Sequence, residues 1–374
     1  MIKANIVICG GHLSPAMATV ERLQKRKTYK IHYIGRKYAL EGDKAYSLEY
    51  KTIRKLRIPF YVLNSGRLQR FFSRYTFISL LKFPFSVVWA FIILRKIRPK
   101  IILSFGSYVA LPVGLIGWLL HIPIISHEQT HVLGLTNRIL SKFSKVLCLS
   151  WHGTKYVTAD MNTVVTGIPL RNFKLSSERS ELINFGDTKL PLVYITGGSL
   201  GSHVLNDTVG EILPDLTSSY RLIHQTGTSD REKDLSKLLC LKNSLPQKLQ
   251  RNYKLIRQIV PSQTFDILNS SSLVVGRAGA NTVAEVQYAG KPAIFIPLPW
   301  SADNEQEINA KSLADYGSAI LIKQSQLTGG LLLEKIREVM ANIENYNKEA
   351  QSAKRQLKTD AAEKLAKMVD AYIK

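Results

Sequence analysis

Three glycine-containing turns each follow a short apolar run and precede a helix-like segment. They cover residues 10–12 (Gly-Gly-His), 197–201 (Gly-Gly-Ser-Leu-Gly) and 276–282 (Gly-Arg-Ala-Gly-Ala-Asn-Thr). Glycine lets the backbone approach a phosphate closely, and the following helix N-terminus supplies N–H donors and the positive end of a helix dipole. One such turn is equally well explained by tight packing, but three in the same register favour phosphate binding. None matches the dinucleotide fingerprint or the P-loop, which argues against a dehydrogenase or an ATPase.

Polar residues are concentrated after two apolar runs in the first half of the chain. Phe-Gly-Ser-Tyr occupies residues 105–108, and His-Glu-Gln-Thr occupies residues 127–130. Polar side chains directly after a buried strand lie at the carboxyl end of a sheet, where open α/β sheets bind ligands. A lone buried histidine is more often a satisfied core residue, but the unbroken run from His127 to Gln129 favours a binding role.

Two groups of polar residues in the second half have alternative interpretations. Glu285, one turn into the helix after the third glycine turn, could accept hydrogen bonds from a ribose diol or could form a capping box with Thr282. Gln306 and Asn309 share one face of a helix predicted to begin near Asp303. They either bind sugar hydroxyls or are simply solvated.

The elements that position these residues alternate between strand and helix. Apolar runs rich in β-formers occur at Ala4–Cys9, 31–34, Ile101–Ser104, 122–126 and Val146–Leu149, and again at Leu192–Thr196, 220–225, 273–275 and 293–296. Helix-like segments such as 15–27 and 80–96 separate them, a rhythm typical of βαβ units and parallel sheets. The sequence therefore predicts an α/β fold with two doubly wound, Rossmann-like domains.

A chain of 374 residues is long enough for two such domains. We expect an N-terminal domain over residues 1–166, a C-terminal domain over residues 167–345, and a helical tail over residues 346–374 that packs back on the N-terminal domain. The predicted hinge is segment 166–173, which contains Gly167, Ile168 and Pro169.

Composition and charge narrow the classes of function. Hydrophobic residues make up 45% of the chain and charged residues 21%, which indicates a globular protein. Cys9, Cys148 and Cys240 are far apart, which argues against a disulfide framework or a zinc site and favours a reducing cytosol. Residues 1–9 predict a strand with no cleavage site, so we expect no signal peptide.

The net charge of +23 arises from 51 Lys and Arg residues against 28 Asp and Glu residues. It favours an anionic membrane surface or a phosphorylated substrate as a partner, and a basic bias of the whole proteome is the alternative. No nucleic-acid-binding motif is recognisable, so we expect no nucleic acid partner.

Segment 68–98 mixes aromatic residues with basic ones. Its longest run without a charged residue, 83–94, holds 12 residues. A transmembrane helix needs about 20 apolar residues, so this run is too short to span a bilayer. We expect segment 68–98 to lie as an interfacial helix on the anionic inner leaflet, and a buried amphipathic helix is the alternative.

Taken in order, these motifs resemble the MurG family of transferases. The resemblance is carried by His12 after Gly10 and Gly11, and by residues 105–108, 127–129, 134–137 (Gly-Leu-Thr-Asn), 167–171 (Gly-Ile-Pro-Leu-Arg), 282–286 (Thr-Val-Ala-Glu-Val), 297–299 (Pro-Leu-Pro) and 306–310 (Gln-Glu-Ile-Asn-Ala). It extends from residue 6 to about residue 322 and so covers most of the chain.

The resemblance implies a GT-B fold, in which a deep cleft separates the two domains. It also implies transfer of N-acetylglucosamine from UDP-N-acetylglucosamine to lipid I, an undecaprenyl-diphosphate-linked muramoyl peptide. The product would be lipid II, made at the cytoplasmic face of the cell membrane during peptidoglycan synthesis.

The resemblance further implies an inverting reaction with His12 as the general base, since an imidazole of ordinary pKa, about 6.5, can deprotonate an acceptor hydroxyl at neutral pH. Implied donor contacts are Arg171 at the diphosphate, Gly198, Ser199 and Gly201 in the second turn, Val260 beside the uracil, Gly279, Ala280, Asn281, Thr282, Val283 and Glu285 around the uridine, and Gln306 and Thr130 near the sugar. Implied acceptor contacts are Gly10, Gly11, Tyr108, His127 and Glu128. The sequence has no convincing D-x-D motif, so we expect neither an essential metal nor a cofactor.

The sequence departs from the family pattern at four places. The first glycine loop is shorter, without the threonine and further glycines that usually precede the histidine, and Thr130, Leu200 and Ile168 replace an asparagine, a glutamine and an asparagine. The donor side is therefore better supported than the acceptor side. The alternatives are a GT-B transferase with another lipid or glycan acceptor, a UDP-N-acetylglucosamine epimerase, a non-catalytic binding protein and a basic RNA-binding protein.

Overall fold

The computed structural model describes residues 3–38, 46–66, 74–171, 181–228 and 233–373. The chain divides into two compact units: unit 1 comprises Met1–Asn172 with Lys358–Lys374, and unit 2 comprises Phe173–Leu357. Each unit contains one parallel sheet with helices on both faces, which confirms the predicted α/β class with two doubly wound domains.

The two sheets contain thirteen strands among the described residues. Those of unit 1 are β1 (Ala4–Cys9), β2 (Tyr29–Gly35), β3 (Phe60–Val62), β4 (Ile101–Ser104), β5 (Ile124–Glu128), β6 (Val146–Leu149) and β7 (Thr163–Val165), in the order β3-β2-β1-β4-β5-β6-β7. Those of unit 2 are β8 (Leu192–Thr196), β9 (Arg221–Gln225), β10 (Tyr253–Ile256), β11 (Leu273–Gly276), β12 (Ala293–Phe295) and β13 (Ala319–Leu321), in the order β10-β9-β8-β11-β12-β13.

Helices connect the strands and continue beyond the last one. They are α1 (Leu13–Lys25), α2 (Leu48–Lys55), α3 (Arg74–Ile97), α4 (Ala110–Leu119), α5 (Leu135–Leu140), α6 (His203–Glu211), α7 (Leu213–Ser219), α8 (Lys233–Ser244), α9 (Gln247–Gln250), α10 (Pro261–Ser270), α11 (Ala280–Ala289), α12 (Glu305–Ala314), α13 (Gly329–Ala341), α14 (Ile343–Gln356) and α15 (Ala361–Tyr372).

Each sheet has an apolar core on both faces, because parallel strands covered by helices must be buried on both sides. In unit 1, α1 and α15 cover one face, and α3 and α4 cover the other. In unit 2, α6, α7 and α13 cover one face, and α10, α11 and α12 cover the other.

The four strands that the apolar runs did not predict are the edge strands of the two sheets. β3, β7, β10 and β13 each have a neighbour on one side only. Most of their residues are only half-buried, whereas the interior strands β1, β4, β5, β8 and β11 are buried almost throughout. An edge strand does not need a continuous apolar run, so its sequence signal is weak.

The unit boundaries differ from the predicted domain boundaries. The first unit extends to Asn172 instead of residue 166, and the chain returns to it at Lys358 instead of residue 346. Helix α15 packs on α1, where Arg26 donates hydrogen bonds to Glu363 (2.7 Å) and to the carbonyl of Ala366 (3.0 Å), and pairs with Asp370. Helix α14 belongs to unit 2.

Candidate functional site

In each sheet one pair of neighbouring strands marks the point where the winding direction reverses. These pairs are β1 with β4 in unit 1 and β8 with β11 in unit 2. Open α/β sheets bind ligands beyond the carboxyl ends of such a pair. Residues 10–12 and 105–107 follow β1 and β4, and residues 197–201 and 277–281 follow β8 and β11. The structure therefore brings all three predicted glycine turns to the ligand-binding edge of their sheet.

The first turn packs tightly against the loop after β4. Gly10 has a φ of +126°, and a Cβ at this position would lie 2.8 Å from the carbonyl oxygen of Gly106. A Cβ at Gly11 would lie 2.7 Å from Oγ of Ser107. The hydroxyl of Tyr33 donates a 3.0 Å hydrogen bond to the carbonyl of Gly10. Packing alone therefore requires both glycines, whatever ligand they contact.

His12 is the N-cap residue of α1, and its side chain makes no capping hydrogen bond. Desolvation of the half-buried ring is the main cause that lowers the pKa of His12 below 6.5; the carboxylate of Glu128 opposes this shift and the guanidinium of Arg36 reinforces it. His12 is therefore neutral at neutral pH, which is the form that accepts a proton.

His127 lies at the end of β5 with its ring buried, 5.6 Å from the ring of Phe105. Its Nε2 lies 3.3 Å from Oγ of Ser150 and 3.4 Å from the carbonyl oxygen of Gly167. Among the described residues its Nδ1 has no hydrogen-bond partner. Burial lowers the pKa of His127 to about 4, and His12 contributes to this shift, so the two imidazoles lie within electrostatic range of each other.

Glu128 organises the loop after β5. Its buried carboxylate accepts hydrogen bonds from the backbone N–H groups of Gln129 (2.9 Å), Thr130 (3.1 Å) and Gly134 (2.9 Å) and from the amide of Asn137 (3.0 Å). The hydroxyl of Thr130 lies 3.0 Å from the same carboxylate and within reach of the carbonyl of Val132. The polar atoms of Glu128 and Thr130 are thus engaged inside the loop, so both residues hold its shape.

The other two residues predicted in unit 1 occupy different environments. Tyr108 is half-buried and packs against the apolar core beneath α3 and α4. Arg171 is half-buried near the end of the first stretch of unit 1.

The second turn, residues 197–201, packs against Gln225 at the end of β9 and Thr226 directly after it. A Cβ at Gly201 would lie 2.0 Å from the carbonyl oxygen of Thr226, and Gly201 has a φ of +90°. The amide of Gln225 donates a 3.0 Å hydrogen bond to the carbonyl of Gly198, where a Cβ would meet nothing within 4 Å. Ser199 is exposed at the tip of the turn. The turn is therefore fixed on its inner side and open on its outer side.

The third turn leads into α11, which no side chain caps. The helix begins at Ala280 with Gly279 as its N-cap residue. The N–H of Val283 already donates to the carbonyl of Gly279 (3.0 Å). The N–H groups of residues 280–282 are the first-turn donors that an α-helix cannot satisfy internally. The proposed capping box of Thr282 with Glu285 is wrong, because Thr282 lies inside the helix and cannot act as its N-cap.

Gln306 and Asn309 are not simply solvated. Gln306 Oε1 accepts a 3.1 Å hydrogen bond from the backbone N–H of Leu298, and Asn309 is buried and donates a 3.2 Å hydrogen bond to the carbonyl of Ala278. They connect α12 to the loop after β12 and to the third turn. Gln306 remains half-buried at this edge, so it is the one of the two that a ligand can reach.

Three further predicted donor residues differ in exposure. Val260 is the N-cap residue of α10 and is 46% exposed. Glu285 is half-buried and close enough to Tyr194 to contribute to the raised pKa of that phenol, which burial chiefly causes. Val283 is a core residue whose side chain packs beneath α11, and its N–H is used inside the helix. Neither group of Val283 is placed for a donor contact.

Arg277 is a residue that sequence reasoning missed. It lies in the third turn, is buried, and donates hydrogen bonds to the carbonyls of Ile296 (3.0 Å) and Pro297 (3.2 Å) and to the side chain of Gln324 (2.6 Å). Burial lowers the pKa of Arg277 to about 10. The arginine thereby ties the third turn to the loop after β12. The feature of the sequence that could have identified Arg277 is its position between Gly276 and Gly279, within a turn that we expected to bind phosphate.

One group in the described part of the chain has the composition of a metal site. His203, Asp207 and Asp234 lie close together, but Nδ1 of His203 is 2.6 Å from Asp234 and its Nε2 is 3.2 Å from Asp207. Lys237 also donates to Asp207 (2.8 Å). The hydrogen bond to Asp234 is the main cause that raises the pKa of His203. These contacts describe an ion-pair network at the start of α6.

Two family models match the chain, one in each unit. The glycosyltransferase family 28 N-terminal domain matches residues 9–147, and the glycosyltransferase family 28 C-terminal domain matches residues 192–365. Together with the two doubly wound sheets, these matches define a glycosyltransferase of the GT-B class.

Relatives of similar sequence identify the family within this class. The chain is 33% identical to a UDP-N-acetylglucosamine–N-acetylmuramyl-(pentapeptide) pyrophosphoryl-undecaprenol N-acetylglucosamine transferase from Clostridium perfringens, over 92% of the chain and 93% of the relative. It is 30% identical to the transferase of the same name from Clostridium novyi, over 100% of both chains. The chain belongs to this transferase family, so the predicted resemblance is confirmed.

Comparison with solved structures supports the same family and the same fold. The crystal structure of Acinetobacter baumannii MurG is similar with a TM-score of 0.70 and 26% identity, over 99% of this chain and 100% of that one. A UDP-N-acetylglucosamine 2-epimerase from Neisseria meningitidis, at 14% identity and a TM-score of 0.64 over 98% and 99% of the chains, shares the fold alone.

Proposed function

We propose that the protein transfers N-acetylglucosamine from UDP-N-acetylglucosamine to lipid I and so forms lipid II, with inversion at the anomeric carbon. The observation that carries this proposal is the relationship along the whole chain to transferases named for that reaction. His12 follows β1 and supplies a group that can accept a proton. The second and third glycine turns, in unit 2, supply the kind of backbone site that binds phosphate.

The donor binds at the carboxyl edge of the unit 2 sheet in this proposal. The open turn with Gly198, Ser199 and Gly201 lets the UDP diphosphate approach the backbone closely, and the uncapped N-terminus of α11 offers it N–H donors and a positive helix end. Glu285 accepts hydrogen bonds from the ribose, and Val260 flanks the uracil. Gln306 contacts the sugar, and Arg171 neutralises charge that develops on the departing diphosphate.

The acceptor binds at the carboxyl edge of the unit 1 sheet. Its hydroxyl oxygen attacks the anomeric carbon as the bond from that carbon to the UDP oxygen breaks, and the hydroxyl proton passes to the imidazole of His12. The lowered pKa of His12 keeps it in the accepting form. His127 and the loop shaped by Glu128 line the same edge, next to Gly10, Gly11 and Tyr108.

Helix α3 supports the proposed contact with the anionic membrane surface. Residues 68–73 of the predicted interfacial segment lie outside the described part of the chain. From residue 82 onward, α3 has two apolar faces: Ala90, Ile93, Leu94 and Ile97 are buried in the core, whereas Phe85, Val88, Trp89 and Ile92 are exposed. A helix that needed only to pack on the sheet would carry polar residues on its outer face.

Other exposed residues of unit 1 suit a lipid headgroup region. Trp118 and Leu119, at the end of α4, are exposed. Arg95 and Lys96 in α3, Arg98 directly after α3 and Lys142 after α5 are exposed cations. No helix in the described residues is long and apolar enough to cross a membrane. We propose that the protein binds the cytoplasmic face of the cell membrane as a peripheral protein, as the exposed apolar face of α3 and the nearby cations suggest.

A transfer assay tests the proposed reaction. Purified protein is incubated with labelled UDP-N-acetylglucosamine, lipid I and anionic vesicles, and labelled lipid II is expected. Glu285→Gln should raise the KM for the UDP-sugar at least tenfold, whereas Glu307→Gln on the outer face of α12 should leave it unchanged. Binding of the UDP-sugar without labelled lipid would overturn the acceptor assignment, and absence of binding would overturn the donor assignment.

A further inference from the structure

Arg36 lies beside the first glycine turn without belonging to any recognised motif. Strand β2 pairs with β1 in parallel, with Ile34 opposite Cys9, so the residues that follow Gly35 run alongside those that follow Cys9. Arg36 is therefore brought next to Gly11 and His12, although 24 positions separate it from His12 in the sequence. The guanidinium is close enough to His12 to contribute to the lowered pKa of that imidazole.

The Arg36 side chain is incompletely paired. Its Nε lies 3.9 Å from Oε2 of Glu49, too far for a hydrogen bond, and among the described residues this buried nitrogen has no hydrogen-bond partner. Glu49 instead accepts a 2.9 Å hydrogen bond from the backbone N–H of Arg36. The Arg36 side chain as a whole is 30% exposed. Its backbone is thus held by Glu49 at the sheet edge, while part of its side chain remains accessible to a ligand.

The charges around this position favour an anion. Burial raises the pKa of Glu49 to about 7, so a substantial fraction of this carboxyl is protonated at neutral pH and it offsets only part of the charge of the arginine. Helix α1 has no acidic residue in its first turn, and its N-terminus points to the same edge. The oxygens of Glu128 are occupied by donors of its own loop.

We propose that Arg36 binds the diphosphate of the lipid acceptor and supplies the contact that the shortened first glycine loop lacks. A guanidinium binds phosphate oxygens through two parallel N–H groups, which a short loop of backbone amides cannot match. This inference rests on the proposed function, because it assigns one group of the acceptor to one residue.

Steady-state kinetics with three variants tests the assignment. Arg36→Gln should raise the KM for lipid I at least tenfold and change the KM for UDP-N-acetylglucosamine less than twofold. Arg36→Lys, which keeps the charge and loses the planar fork, should fall in between. Lys37→Gln is the matched control, because the ammonium of Lys37 lies over the rings of Tyr38 and Tyr46 instead.

The pH profile supplies a readout that a structural role would not move. Arg36 lowers the pKa of His12, Glu128 raises it, and His127 is a third titratable group within electrostatic range. Removal of the positive charge in Arg36→Gln should therefore shift the acid limb of kcat to higher pH. Arg36→Lys should leave the limb where it is in the wild type.

A binding measurement separates this inference from the proposed function. With the donor site saturated by UDP, inorganic pyrophosphate should bind the wild-type protein, and Arg36→Gln should weaken that binding at least tenfold. An acceptor KM that is unchanged in Arg36→Gln, or pyrophosphate binding that is unchanged, would overturn the role of Arg36. If Arg36→Gln does not fold, equal acceptor KM values for Arg36→Lys and wild type would overturn it. Absence of lipid II from the wild type, with Arg36-dependent pyrophosphate binding intact, would overturn only the proposed function.

Discussion

At the scale of residues, two histidines share the carboxyl edge of the unit 1 sheet. Desolvation lowers the pKa of both His12 and His127, and for His127 the value falls to about 4. His127 is held by Ser150 and Gly167, whereas His12 makes no capping contact with its helix. In the proposed mechanism His12 is the base, and His127 is a neutral neighbour that does not repel a proton arriving at His12.

His12→Ala should lower kcat by about 100-fold or more, the usual contribution of a positioned general base. UDP-N-acetylglucosamine should still bind with unchanged affinity, because His12 is not among the proposed donor contacts. Titration calorimetry and initial rates measure the two effects, and His152→Ala, at an exposed position, is the control. Turnover within tenfold of the wild type would remove His12 from the role of base.

The pH dependence of the wild type follows from the lowered pKa of His12. Only the neutral imidazole accepts a proton, so kcat should be constant at neutral pH and fall as the pH drops through the pKa of His12. Because that pKa is lowered, the acid limb should lie below pH 6.5. A limb above this value, in rates measured with both substrates saturating, would contradict the assignment.

Glu128→Gln should destabilise the protein by about 2 kcal/mol or more, because an amide NH₂ would face backbone donors that now bond to a carboxylate oxygen. Urea unfolding followed by circular dichroism measures the loss. Glu307→Gln removes an exposed pair with Lys311 (3.6 Å) and should cost less than about 0.5 kcal/mol. Equal stabilities of the two variants would show that the Glu128 loop does not depend on its carboxylate.

At the scale of elements, α3 has one buried apolar face and one exposed apolar face from residue 82 onward, and its contact with a membrane stays a prediction. A helix repeats its faces every three to four residues, so one apolar segment can bury Ala90, Ile93 and Leu94 and still expose Phe85 and Trp89. Phe85 is 77% exposed and Trp89 is 52% exposed. The inner face fixes the helix on the sheet, and the outer face is left for a partner.

The double variant Phe85→Ser with Trp89→Ser should therefore reduce binding to anionic vesicles at least tenfold while the protein remains folded. Each aromatic side chain that leaves the lipid forfeits about 1.5–3 kcal/mol. Co-sedimentation measures binding, and Leu239→Ser with Tyr316→Ser, two exposed apolar positions of unit 2, is the control pair. Equal losses in both pairs would show that general surface hydrophobicity explains the binding.

At the scale of the whole molecule, the net charge of +23 should add a long-range attraction to the membrane contact that we propose for α3. Dissolved salt screens the interaction between two charges beyond about 10 Å at 0.1 M and beyond about 4–5 Å at 0.5 M. Raising the salt over this range should weaken binding to anionic vesicles several-fold and hardly change binding to neutral ones. Salt-independent binding to both would assign the attachment to the apolar face alone.

The interior strands of both sheets could be predicted because each is marked by a run of apolar residues that are neighbours in the sequence. Every interior strand is an apolar run of the kind that burial on both faces requires, and all nine were predicted. The four edge strands were missed because one side of each needs no burial. The position at which the chain returns to unit 1, Lys358, could not be predicted from the sequence, because it depends on contacts of α15 with α1 that sequence periodicity does not contain.

The sequence by itself determined which turns can approach a phosphate and which polar runs end a buried strand, since both depend on neighbours along the chain. Tertiary structure decided what those groups do. It engaged the carboxylate of Glu128 within its loop, tied Asn309 to the third turn, and ruled out the capping box at Thr282. It also brought Arg36 beside His12 through the pairing of β1 with β2. A hydrogen bond or a charge acts on whatever lies near it in space, and proximity between residues far apart in the chain is fixed only when the sheet has formed.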